Sequence, residues 1–164
     1  MSFHVDSSNL GTWLHVILFE PEIAANTGAI GRSCLAVGAK LWLVRPLGFR
    51  LDEKNLRRAG LDYWEHVDVT VVDDYATALA RARPNRVWLL TTRGSKAHWD
   101  ADFATGDAIV CGPESRGLPL WVLDSEPDES HLRIPMAAKA RSLNLANAAT
   151  VAMYEAARRV RPAI

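Results

Sequence analysis

Apolar runs alternate along the chain with stretches whose apolar positions recur at helical spacing. Trp13–Phe19 reads as a first strand, Asn26–Val37 as a helix and Lys40–Val44 as a second strand. After a polar stretch, Val67–Val72 is strand-like and Tyr75–Arg83 helical, and Val87–Thr91 and Ala108–Cys111 are two further strands. Pro119–Leu123 predicts a short helix and Leu132–Pro135 a last short strand. A long helix is expected from about Leu143 to Val160, because Ala146, Ala149, Met153, Ala156 and Val160 keep its apolar spacing and Pro162 stops it. Strands that are apolar nearly throughout and alternate with helices are covered on both faces. The predicted fold class is therefore α/β, a mostly parallel sheet with helices on both faces.

With 164 residues, of which 49% are apolar, the chain can bury the core of one domain. Residues 13–164 read as that domain, and residues 1–12 as a flexible N-terminal extension. The 19 basic and 19 acidic residues cancel, which excludes a diffuse polycation, so a nucleic acid has to be held by a local basic face. No segment approaches the roughly 18 apolar residues of a membrane helix, and no basic-then-apolar leader opens the chain. A cytoplasmic protein with no membrane partner is expected. Cys34 and Cys111 form no CxxC pair and read as buried or semi-buried thiols of a reducing compartment. The histidines are dispersed and no metal-ligand spacing occurs, so no metal is expected.

Parallel α/β sheets bind ligands beyond the carboxyl ends of their strands. Four strand-end segments hold the unusual chemistry. In Glu20–Arg32, Asn26 is a candidate helix N-cap, Gly28 and Gly31 allow close approach, and Arg32 offers a guanidinium to a phosphate or ribose. In Leu89–Lys96, Leu90 and Thr91 can floor a ligand while Arg93 and Lys96 reach phosphates. In Cys111–Pro119, two glycines and two prolines bracket the charged tripeptide Glu114-Ser115-Arg116, so the loop has a specified shape. In Ile134–Asn147, Ser142 is a candidate N-cap, and Asn144 and Asn147 share a face of the last helix. Neither a dinucleotide fingerprint, a P-loop nor a nucleophile elbow is present, so the chemistry calls for a substrate that arrives activated.

These segments resemble the motifs of the RNA 2′-O-methylating branch of the SPOUT superfamily. Asn26-x-Gly28-x-x-x-Arg32 is similar to its first motif and Gly112–Pro119 to its second. Ile134-Pro135-Met136 with Ser142–Asn147 is similar to its third. Leu18–Ile23 and Leu56–Tyr63 are similar to the small members that methylate the tRNA wobble nucleotide, cytidine or modified uridine, without a separate RNA-binding domain. The resemblance implies a trefoil knot on the C-terminal side, a homodimer, and S-adenosyl-L-methionine as cofactor. It implies a cofactor site at Leu90, Thr91, Gly112, Glu114, Ile134, Met136, Ser142, Leu143 and Asn144. Arg32 is then the first catalytic candidate, in a positioning and electrostatic role, with Asn26 and Asn147 orienting the ribose and Glu114 taking a proton or anchoring its neighbours.

The implied partner is the tRNA anticodon loop. Lys54, Arg57 and Arg58 fall at helical spacing and form one basic stripe, and Arg93, Lys96, Lys139 and Arg141 lie near the expected pocket mouth. Tyr63 and Trp64 are candidates to stack on a base. The rival readings are a SPOUT enzyme for ribosomal RNA or another tRNA position, a non-catalytic RNA-binding protein of the same fold, and an ordinary nucleotide-binding domain.

Overall fold

The computed structural model describes residues 11–52 and 62–164. Along the chain it runs β1 (Leu14–Phe19), α1 (Ala24–Val37), β2 (Lys40–Val44), β3 (Val69–Val72), α2 (Tyr75–Ala82) and β4 (Val87–Leu90). It continues with β5 (Lys96–Ala97), β6 (Asp107–Cys111), α3 (Leu120–Leu123), β7 (His131–Arg133) and α4 (Leu145–Val160). The strands form one sheet in the order β3-β2-β1-β6-β4-β7-β5, and every pairing is parallel.

The side-chain period of two explains why the strands carry no polar face. Leu14, Val16 and Leu18 of β1 point to one side, where Ile30, Cys34 and Val37 of α1 pack with Ala149, Met153 and Ala156 of α4. Ile17 and Phe19 point to the other side, against Tyr75 and Ala78 of α2 and Val122 of α3. Each of the leucine, isoleucine, valine, phenylalanine and methionine side chains among these contributes about 1.5–3 kcal/mol by its burial, so both layers hold the sheet between them. Cys34 and Cys111 are buried and free, as the sequence suggests. Burial pushes both thiols up, that of Cys111 to about 12.

Two details differ from the expected pattern. The last predicted strand is displaced: β7 ends at Arg133, and Ile134 and Pro135 already belong to the irregular run leading to α4. β5 is only 2 residues long, too short to show any periodicity, and pairs with β7 at the sheet edge. At the amino ends of the strands, buried polar groups pair with one another. Trp42 Nε1 donates to His15 Nδ1 at 3.1 Å and Trp88 Nε1 to Asp107 Oδ2 at 2.8 Å. The carboxyl ends are where polar groups from different segments meet around a cavity.

Candidate active site

A cavity of about 750 Å³ opens over the carboxyl ends of β1, β6, β4 and β7, four strands adjacent in the sheet. All four strand-end segments line it. Leu90, Thr91 and Arg93 follow β4, and Gly112, Glu114 and Leu118 follow β6. Ile134, Met136, Arg141, Ser142, Leu143 and Asn144 come from the run after β7. Ile23 and Asn26 enter from the segment after β1. Every expected cofactor residue is thus on one wall or another. Arg32, Asn147 and Lys96 are not among the lining residues.

The wall formed by Gly112–Pro119 owes its shape to backbone crowding. A Cβ on Gly112 would lie 2.3 Å from the Leu118 amide nitrogen and 2.4 Å from the Gly117 carbonyl carbon. The loop therefore folds back on its own start, and the Gly117 N–H closes it onto the Pro113 carbonyl at 2.9 Å. Gly117 has φ +69°, the left-handed region that favours glycine.

The start of α1 differs from the sequence expectation. The N-cap is Ile23, whose side chain cannot accept a hydrogen bond, and Asn26 lies inside the first turn. The missing cap comes from Glu114, 92 residues further on than Glu22. One oxygen of its carboxylate accepts from Glu22 N at 2.8 Å, and the other from Ile23 N at 3.1 Å and Asn26 Nδ2 at 3.3 Å. A carboxylate at a helix N-terminus is favoured both by the free N–H groups and by the helix dipole. Asn26 is thereby freed from capping, and its Oδ1 accepts from Asn144 Nδ2 at 3.0 Å.

The start of α4 carries a second correction. Asn144, not Ser142, is the N-cap, and its Oδ1 accepts from Ala146 N at 2.9 Å and Asn147 N at 3.4 Å. Glu114, Asn26 and Asn144 thus form a continuous polar relay that joins all three motif segments. A side-chain amide that donates one way and accepts the other has a single orientation, so Asn26 is fixed in place and buried.

Arg32 and Asn147 occupy a different surface. Arg32 is exposed on α1, with its guanidinium 5.2 Å from the centre of the Tyr63 ring. The Tyr63 hydroxyl donates to the Gly28 carbonyl at 3.0 Å, which anchors that ring on α1. Trp64 packs on Gly31, where a Cβ would meet its ring at 2.6 Å. Both aromatic side chains proposed from the sequence as base-stacking groups are therefore engaged with α1. The Lys96 ammonium stands 5.7 Å from the Trp88 ring centre, away from the cavity. Lys54, Arg57 and Arg58 lie outside the described residues. Glu20 and Glu22 also belong to the site's surroundings through Ser115 and Arg116, although nothing local in the sequence marks them as partners of a loop so distant in the chain. Among the described residues no group of three or more His, Cys, Asp or Glu could hold a metal ion, and no helix is long and apolar enough to cross a membrane.

An all-parallel sheet with the three motifs gathered at the carboxyl ends of adjacent strands is the arrangement of SPOUT methyltransferases, and solved structures of that kind superimpose on it. The chain belongs to the SpoU rRNA Methylase family, whose model matches residues 13–154. It is 47% identical over 147 residues to the tRNA (cytidine(34)-2′-O)-methyltransferase of Escherichia coli K12, covering 90% of this chain and 94% of the relative. A structure solved in work on "the 2-OH methylation of C/U34 on tRNA" matches with a TM-score of 0.82 and 48% identity, over 89% of this chain and 95% of that one. The SpoU methyltransferase AviRb of Streptomyces viridochromogenes, solved with AdoMet, matches with a TM-score of 0.78 and 26% identity, over 92% of this chain and 58% of that one.

Proposed function

We propose that this protein transfers a methyl group from S-adenosyl-L-methionine to the ribose 2′-hydroxyl of the wobble nucleotide, cytidine or modified uridine, in the tRNA anticodon loop, as a TrmL-type enzyme. The observation that carries this is the convergence of all three motif segments on one cavity, tied together by the relay Glu114–Asn26–Asn144. The cavity suits the cofactor. Leu90, Ile134 and Leu143 give apolar walls for an adenine. The backbone around Gly112 and in the irregular run after β7 supplies N–H and C=O groups that can read its edge. When bound, the cofactor supplies a methyl group made electrophilic by its sulfonium.

The protein's task is then to align the ribose oxygen and stabilise the charge that develops on it. Glu114 is occupied as an acceptor for α1 and Asn26, so its role is to anchor Asn26 rather than to take the proton. The Arg32 guanidinium, which carries only donors, acts as a donor to a phosphate or to the developing alkoxide. Arg93 and Arg141, exposed at the cavity rim, are placed to meet the RNA backbone.

The homodimer fits the surface on which Arg32 lies. Ala29, Arg32 and Ala36 form one exposed strip of α1, and Asn147, Val151 and Tyr154 one exposed strip of α4. The two helices pack side by side, with Ser33 and Thr150 joined by a 2.7 Å hydrogen bond. Leu35, Val151 and Tyr154 are large apolar side chains left exposed there. A second copy covering this face would bury them and carry Arg32 and Asn147 towards a site shared between subunits. A molecular mass in solution of twice the chain mass is expected, and a monomer at working concentration would contradict it. Family membership also implies the trefoil knot, and a tRNA substrate supports a cytoplasmic location.

A ribosomal RNA substrate has the family's description behind it. The near full-length match to relatives named for position 34 of tRNA favours the anticodon loop. Labelled S-adenosylmethionine offered with bulk tRNA or with ribosomal RNA separates the two. Label is expected in the tRNA, and label in ribosomal RNA alone would overturn the reading.

A further inference from the structure

The charged tripeptide Glu114-Ser115-Arg116 is engaged by the segment that leads into α1 and by the first turn of that helix. Glu114 accepts from the backbone of Glu22 and Ile23. In return the Glu22 carboxylate accepts from Ser115 N at 2.9 Å and from Ser115 Oγ at 2.6 Å, with Arg116 Nη1 at 3.5 Å. Arg116 also pairs with Glu20. Backbone donates to side chain in one direction and receives its answer in the other. This is the logic of a capping box, built between two segments far apart in sequence.

We propose that Glu22, supported by Glu20, is a positioning residue for the cofactor pocket: it latches the Pro113–Gly117 loop onto the start of α1, so that cofactor affinity depends on a carboxylate that does not line the pocket. The inference rests on the reading that this cavity takes S-adenosylmethionine. The glycines at 112 and 117 give the loop its internal shape, but they do not fix where that shape sits relative to α1. Two bonds from a single serine and an arginine contact do so. They also fix Glu114, and through it Asn26 and Asn144, so the latch governs the wall and the relay together. The side-chain and backbone bonds from Ser115 hold the Glu22 carboxyl below the usual carboxylate range. It is therefore ionised, and able to accept both bonds, throughout the range in which tRNA is handled. The chemistry also explains why the position calls for a carboxylate. An amide has an acceptor at only one of the two positions, and its nitrogen would face either the Ser115 N–H or the Arg116 guanidinium.

The test is a double-mutant cycle on the full chain, with Glu22→Ala, Ser115→Ala and the double variant. S-adenosylmethionine affinity is measured by calorimetry, with thermal melting alongside. Glu22→Ala is expected to weaken cofactor binding about tenfold, with a similar loss for the double variant, because both changes break the same latch. Glu22→Gln should fall between wild type and Glu22→Ala, and its melting temperature should stay near that of the wild type. Should Glu22→Ala fail to fold, Ser115→Ala and Glu22→Gln still report on the same contact. Unchanged cofactor affinity in the folded variants, or losses that multiply in the double variant, would overturn the latch. A wild-type protein that does not bind S-adenosylmethionine at all would overturn the cofactor reading beneath it.

Discussion

Replacing Arg32 by alanine is expected to lower the turnover number for methyl transfer by about 10²–10³-fold, the usual effect of removing one preorganised charge-stabilising donor. Cofactor affinity should change little, because Arg32 does not line the cavity proposed for the cofactor. Arg32 is exposed, yet it is not a loosely held surface arginine. Its guanidinium lies over the Tyr63 ring, and that ring is itself tied to the Gly28 carbonyl. A side chain held at the edge of the proposed subunit interface loses little freedom when RNA arrives. Lysine keeps the charge but lacks the planar fork and stacks less well on tyrosine. Arg32→Lys should therefore recover only a small part of the activity. Near-normal turnover in Arg32→Lys would rule out the two-pronged positioning role. Steady-state kinetics with saturating cofactor, together with a binding titration, separate the two quantities.

Gly112→Ala is expected to produce the complementary defect, a loss of cofactor binding. The added Cβ would meet the backbone of Gly117 and Leu118 at 2.3–2.4 Å, distances that no side-chain rotation relieves. Overpacking of this kind costs about 1–3 kcal/mol of stability. The larger consequence is displacement of the loop that forms one wall of the cavity. A shift of about 1 Å in such a wall can cost about 10²-fold in activity. Calorimetric titration with S-adenosylmethionine should show the loss while circular dichroism shows the sheet intact. Full affinity in a folded Gly112→Ala would mean that this loop does not form the cofactor wall.

Much of the fold was legible because burial on both faces writes itself into composition. β1, β2, β4 and β6 are apolar at nearly every position, with His15, Lys40 and Asp107 as the exceptions near their amino ends, and α4 keeps its apolar spacing over its whole length. β5 and β7 were missed or displaced because strands of 2 and 3 residues are shorter than any pattern that could identify them. The four strand-end segments can be picked out because the rule that locates ligands in parallel sheets requires only the strand ends, and all four line the cavity. The contacts within the site were not legible. A local reading makes Asn26 a helix cap because asparagine favours that position. The structure gives the capping to Glu114 and frees Asn26 to hold Asn144. In the same way Ser142 yields the α4 cap to Asn144, two residues nearer the helix. The partners that decide these roles come from the other end of the chain, and no local propensity encodes them. Likewise nothing local to Tyr63 and Trp64 marks the glycine-bearing face of α1 that they cover.

The most direct measurement uses two tRNA substrates that are identical except at one atom, the 2′-oxygen of nucleotide 34. With the ribose intact, label from S-adenosylmethionine should appear there, and nuclease mapping should place it on that nucleotide. With 2′-deoxyribose at position 34, transfer should fall to background. Equal transfer into both substrates would put the methyl group elsewhere on the RNA and contradict wobble ribose methylation.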